Sequence, residues 1–428
     1  MLKSVVSTRA THARPEDLLR RALRLAARPA ALRVLVVPAA LLIALGSPAH
    51  ATPLLPSVGG GADAPQAKAA KTDQLSVRSK KDGSPQLLAG VVTSNNLDQV
   101  VVQVAGKETK VNSDLVVRIT WGEVPPSFKD ARVYFQRGQY GDAAAQFRLA
   151  SSDASARDVV KASARLWAAQ ALLRWGASDP LHFAEAAEEA AKFLSEFPSN
   201  REVPEARMLQ ARAKWLAGQA GDAGQLYKAI YGEWKGTEGT PGYRRELCFE
   251  AGLSAARALC QVQPPDTLGA REIYSSLEKA AGDALAELDP LAPGRSQLQR
   301  FQDEAVVGPG FVELAGNNST RALTFFQGKL GAAGASDTAR FAASFGLAQA
   351  LAAGGKLREA QAEFARVSGL EHSDRDRAAA AQVGLAETTI KLADPDATPQ
   401  ARAWLESVIQ AYGDTLSAAK AREMLKKL

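Results

Sequence analysis

Three stretches of this chain share one pattern: "GQYGDAAAQF" from Gly138, "GQAGDAGQLY" from Gly218 and "GKLREAQAEF" from Gly355. Each runs Gly, three residues, an acid, Ala, three residues, then Phe or Tyr. On a helix, Tyr140, Ala143 and Phe147 fall at i, i+3 and i+7 and form one stripe. Ala220, Ala223 and Tyr227 repeat the stripe, as do Leu357, Ala360 and Phe364. The glycine before each stripe stands where a preceding helix must end and the chain must turn. Seven residues before each glycine is another alanine, namely Ala131, Ala211 and Ala348. Facing small residues let two antiparallel helices approach closely, and the ring fills the gap towards the next pair. One such hairpin cannot bury its stripe alone, so the pattern demands a stack.

Composition agrees. Alanine is abundant and aromatics make up only 6%, which suits closely packed helices better than broad sheets. From Ser127 to Leu428 no strand pattern is evident, and Ser127 is the expected N-cap of the first helix after Pro125-Pro126.

The repeated unit resembles the tetratricopeptide repeat (TPR) family, with small residues at its eighth and twentieth positions, a Gly-x-Tyr turn and an aromatic near position twenty-four. The first unit carries Ala131, Tyr134, Gly138, Tyr140, Ala143, Phe147 and Ala150. A stretched second unit carries Trp167, Ala171, Phe183, Ala186 and Phe197-Pro198. Weaker units end at Ala270/Tyr274 and Ala322/Phe326. The last has Ala401, Leu405, Val408 and Tyr412, with Gly413 where the family places Pro. Ala206 and Ala421, each nine residues past an aromatic, mark another shared phrase. The resemblance implies a mainly α fold: about seven helix hairpins and a terminal helix over 126–428.

Residues 82–125 have a different period. "QLLAGVVTS", "QVVVQV", "ETKV" and "LVVRITW", separated by Asn-, Asp- and Gly-containing turns, predict an antiparallel meander of four strands, a small SH3-like β-module. Its Asp-Gly, Gly-Val-Val and Val-rich run resembles a short module ahead of helical repeats in some exported bacterial proteins. It lacks the interleaved basic and aromatic residues of a nucleic-acid platform.

The formal net charge is +6, and all of it sits in residues 1–51, where eight Lys and Arg face two acids. The remainder is balanced and gives no surplus for nucleic acid. After Arg33 comes the apolar run "VLVVPAALLIALG" and then Ala49-His50-Ala51, a small-x-small pattern for cleavage before Thr52. The expectation is a signal peptide over 1–51, export to the periplasm or cell envelope, and no stable membrane insertion after cleavage; an uncleaved anchor is the alternative. Residues 52–81, rich in Pro, Gly, Ala and Lys, are expected to be a disordered linker. Cys248 and Cys260, twelve residues apart on one expected helix, lie too far apart to bridge.

Chemistry is sparse. His182 and His372 are the histidines past the signal segment, and both fall between expected helices, where a solvated role is expected. "HSDRDR" reads as a charged turn in which Ser373 or Asp374 caps the next helix. Glu185, Glu188 and Glu189 read as an exposed acidic face. Trp167, Trp175, Trp215, Trp234 and Trp404 are expected in inter-repeat packing. No catalytic, cofactor or metal residues are assigned, and binding residues stay unassigned. What the resemblance implies is a non-enzymatic scaffold that holds a partner peptide or helix in the groove lined by the first helix of each pair. Exported members of the family often serve envelope assembly, division or secretion, so envelope proteins are the expected partners. The alternatives are an envelope tether whose β-module holds cell wall, lipid or another ligand with the repeats as spacer, and a solenoid enzyme.

Overall fold

The computed structural model describes residues 72–79, 84–235, 238–371, 374–393 and 395–428. The expected signal segment and most of the expected linker, with His372 and Ser373, lie outside the described residues.

The β-module has five strands: β1 (Asp73–Arg78), β2 (Pro85–Asn95), β3 (Gln99–Val104), β4 (Lys107–Asn112) and β5 (Val116–Thr120). Their order is β4-β3-β2-β1-β5, all antiparallel. β2 shifts register between Val92 and Ser94 and serves two ladders, which gives an SH3-like arrangement around Leu75, Val92, Val100, Val102 and Val116. The extra strand corrects the sequence expectation, because β1 lies inside the stretch assigned to a linker ending at residue 81. Leu75 and Val77 alternate with polar residues there, but the run is short and flanked by polar sequence. It becomes a strand only because β2 and β5 pair with its two edges.

β1 also ties the module to the helices. Asp73 is fully buried and accepts from the Val92 N–H at 2.8 Å, the Gly122 N–H at 2.9 Å and the Arg157 guanidinium at 2.7 and 2.8 Å. Four donors on one carboxylate satisfy a group that would be costly to bury alone. A second seam joins Arg201 to Asn95 and to the Val116 carbonyl, and the Leu97 N–H to the Ser199 carbonyl.

Fifteen helices follow. Four hairpins are α1 (Pro126–Gln136) with α2 (Tyr140–Ser152), α3 (Asp158–Trp175) with α4 (Leu181–Glu196), α5 (Val203–Leu216) with α6 (Ala220–Tyr231), and α7 (Arg245–Leu259) with α8 (Thr267–Glu287). Three more are α9 (Arg295–Ala315) with α10 (Ser319–Gly331), α11 (Asp337–Ala353) with α12 (Leu357–Leu370), and α13 (Arg375–Leu392) with α14 (Ala397–Ala411). The closing helix is α15 (Leu416–Leu425). Each helix packs on the next, and from α3 onward the first helices of successive pairs also touch one another, so they form an inner layer. Two local expectations fail. The cap of α1 is Pro125, and Ser127 lies within the helix behind Pro126. A two-residue ribbon, β6 (Trp234–Lys235) with β7 (Glu238–Gly239), stands between α6 and α7.

The repeated glycines do what their position demands. Gly138, Gly218 and Gly355 have φ of +74°, +84° and +78°. In each turn the next residue's N–H reaches five residues back, Gln139 to Tyr134, Gln219 to Lys214 and Lys356 to Leu351, all at 2.9 Å. That is the Schellman closure of a helix end. A fourth copy has Asn317 at φ +60° and the same bond from Asn318 to Glu313 at 2.8 Å.

The alanine stripes and rings are the core. Ala131, Ala143, Phe147, Ala211, Ala223, Ala348 and Ala360 are fully buried, with Tyr227 and Phe364 nearly so. Rings from second helices seat in notches of the following first helix: Phe326 against Gly346, Phe364 against Gly384, and Tyr274 against Gly308. Phe147 stacks on Trp167 at 5.8 Å between ring centroids. There an aromatic partner, and not a glycine notch, meets the ring across the inter-repeat gap.

Candidate functional site

The inner layer lines a half-open cavity of about 670 Å³, walled mainly by α5, α7, α9, α11, α13 and α15. One part of the wall is apolar, with Trp215, Phe311, Phe345 and Val383. Another part is charged, with Arg212, Arg257, Asp376 and Lys420. The residues reach this wall because side chains four apart on a first helix share a face: Arg212 and Leu216 on α5, and Asp376, Ala380 and Gly384 on α13.

The groove is a cavity because the superhelix meets itself. The Arg422 guanidinium on α15 donates to the Ala177 carbonyl beyond α3 at 2.6 Å, across 245 residues. Arg212 on α5 donates to the Asp414 carbonyl at 3.1 Å. Gly413 lies so close to the Ala177 carbonyl that a side-chain carbon there would collide with it. The glycine that departs from the family pattern is thus required by this clasp.

An ion network joining three first helices forms part of the wall. Arg377 contacts Glu304, Glu371 at 2.8 Å and Asp374 at 3.1 Å. Arg257 contacts Glu304 at 3.0 Å and Asp374 at 3.5 Å. Burial opposes ionisation of the Asp374 carboxyl, but the charges of Arg257 and Arg377 and the Arg377 N–H outweigh it and hold it at about 2. Asp374 also caps α13 through that N–H. The reading of this segment as a charged turn therefore holds only for the cap; Arg377 is a buried structural cation.

Two charged side chains on the cavity wall are not tied up in this way. Arg212 makes its one hydrogen bond to the Asp414 carbonyl. Asp376 makes no hydrogen bond or ion pair among the described residues; it is exposed to water on the cavity side. Burial pushes the Asp376 carboxyl up, and Asp374 and Asp414 add to that against the pull of Arg212. Neither residue was singled out from sequence. Arg212 sits one position after the repeat alanine Ala211, and that register was the available signal.

The sequence candidates fall elsewhere. His182 is not a solvated loop residue: it stacks on Trp175 with ring centroids 3.4 Å apart, and its ring nitrogens face Glu185 at 3.0 Å and Asp179 at 3.6 Å. Glu188 is exposed, but Glu189 is fully buried between Arg148 and Arg165 at 3.0 and 2.9 Å, so the acidic face is partly structural. Of the tryptophans named above, Trp215 lines the cavity, its indole donating to Gln261, while Trp167 packs between repeats. Cys248 and Cys260 are free, and burial pushes their thiols up to about 12 and about 11. Among the described residues, no three His, Cys, Asp or Glu side chains converge in a metal-holding group, and no helix is long and apolar enough to cross a membrane.

No protein-family profile matches the chain, and no curated protein is similar to it. Among solved structures, the chain is similar to a tetratricopeptide repeat protein from Parabacteroides merdae ATCC 43184, with 14% identity over 66% of this chain and 90% of that one and a TM-score of 0.43. The hairpins, Schellman turns and ring-in-notch packing described above make the fold a TPR-like α-solenoid preceded by a five-stranded antiparallel module.

Proposed function

We propose that this chain is a non-enzymatic interaction scaffold of the bacterial cell envelope, which holds part of a partner protein inside its superhelix. The observation that carries the reading is the cavity itself. Successive first helices supply its wall, so the surface that repeats generate by stacking is the one left unfilled. The basic head, apolar run and Ala49-His50-Ala51 of the sequence support export to the periplasm.

The reading is tested by site-specific photo-cross-linking in the native cell. A photo-reactive residue at Gln349, on the cavity wall, is expected to capture a protein that the same group at Glu188, on the outer surface, does not. Capture from Glu188, or from Lys110 on β4, with none from Gln349 would overturn it. Export is checked by a fusion to a reporter active only outside the cytoplasm; an inactive reporter in intact cells rejects the periplasmic assignment.

A further inference from the structure

The β-module meets the helices at three stations, each at the entry of a first helix. Arg157, the N-cap residue of α3, gives its guanidinium to Asp73 and, at 3.2 Å, to the Val92 carbonyl. Arg201, just before α5, donates its N–H to the Asn95 carbonyl at 3.0 Å. Beside it Asn96 forms a single antiparallel bridge with Asn200, and the Leu97 N–H reaches the Ser199 carbonyl at 2.9 Å. The third station is the approach to α7. A side-chain carbon at Gly242 would stand 2.7 Å from the Leu97 side chain and 3.0 Å from its carbonyl, so the two backbones are in close contact. Leu97 also packs on the apolar cluster of α3, α4 and α5 that includes Leu166, Phe193 and Leu209.

On the module's side the stations follow one another along β2 and the turn after it: Val92, then Asn95 and Asn96, then Leu97. From Val92 to Leu97 an extended chain reaches at most about 17 Å. Packed helices lie about 8–10 Å apart, so the two steps from α3 through α5 to α7 cover roughly 16–20 Å. The strand and its turn thus match the length of stack they lie along. In a plain solenoid each repeat touches only its neighbours, and curvature is the sum of independent steps. Here one element holds helix entries that are two steps apart.

We propose that the β-module is a splint, which fixes the pitch of the superhelix from α3 to α7 by seating the entries of α3, α5 and α7 on Val92, Asn95 and Leu97. Both clasp points on this side of the ring lie within the splinted span: the Ala177 carbonyl beyond α3, and Arg212 on α5. The splint therefore presents them in fixed relation to the segment that closes the ring. In this role the module shapes the scaffold and needs no ligand of its own.

The test measures distances within the full chain, with no partner present, so it is independent of the groove reading. Paired spin labels are carried on a keto amino acid, which leaves the free Cys248 and Cys260 unmodified. One pair, at the exposed positions Glu188 on α4 and Glu278 on α8, spans the splint; the other, at exposed Gln327 on α10 and Glu406 on α14, lies beyond it. Leu97→Ala and Arg201→Gln loosen the second and third stations and leave Asp73 on Arg157. Either is expected to broaden the first distance distribution and shift its mean while the second stays as in the wild type. Gly413→Ala, which strikes the clasp and leaves the module alone, is expected to broaden the second and spare the first. A first distribution unchanged in both splint variants would overturn the proposal, because stacking alone would then set the pitch. Equal broadening of the two distributions, in the splint variants or in Gly413→Ala, would overturn it as well. Hydrogen exchange over β2 and β3 checks that the module stays folded, and if both splint variants lose it the Gly413→Ala comparison decides.

Discussion

At the scale of single residues, the four helix-ending turns differ in one atom group. Gly138, Gly218 and Gly355 stand at positive φ, and a side-chain carbon added at any of them meets nothing within 4 Å. Their requirement is conformational and involves no packing. Gly355→Ala should cost about 1–2 kcal/mol, the penalty of left-handed backbone for an L-residue, read as a lower denaturation midpoint. Asn317 occupies the same conformation at φ +60°, so Asn317→Gly should stabilise by about 0.5 kcal/mol. Opposite signs at equivalent turns are the check; a destabilising Asn317→Gly would show that its side chain matters more than its backbone.

At the scale of elements, β1 shows where sequence patterning stops being informative. The glycine turns and alanine stripes were legible because each is specified within about ten neighbouring residues. The strand Asp73–Arg78 was not, because its conformation comes from partners β2 and β5, and Asp73 looked like any linker acid until Arg157, 84 residues away, was placed against it. The fourth turn was missed for a different reason: Asn317 does glycine's work under another letter. Asp73→Asn removes the charge facing the half-buried Arg157 and forces an N–H₂ towards donors. It should cost roughly 2–4 kcal/mol, somewhat below the usual loss for a broken buried pair because Arg157 keeps some solvent. Hydrogen exchange should rise first across 73–120, and uniform exchange across the whole chain would argue against a local weld.

At the scale of the whole molecule, the cavity and its charges were illegible because they arise from superhelical closure between segments some 200 residues apart. The Asp374 network is one tie across the turn. Its carboxyl is held at about 2 against about 4 in an unfolded chain, so the folded state binds its proton less readily. The resulting stability is fully present above about pH 4 and is lost as pH falls towards 2, on the order of 2 kcal/mol. Thermal melts between pH 5 and 2 should show this loss, and Asp374→Asn, which keeps a capping oxygen, should flatten that part of the profile. The clasp is the second tie. Its two hydrogen bonds run from guanidinium groups to backbone carbonyls, and Gly413 permits the approach. Gly413→Ala forces the Ala177 carbonyl away, whereas Arg422→Ala deletes a donor and leaves the approach free. Closure that depends on fit should open fully in the first variant and partly in the second. Small-angle scattering should then show the radius of gyration rising in the order wild type, Arg422→Ala, Gly413→Ala. Each repeat should stay folded, because neighbouring hairpins still bury one another's stripes. A radius unchanged in both variants would mean that packing of α15 on α13 and α14 holds the ring shut, and that the clasp only follows.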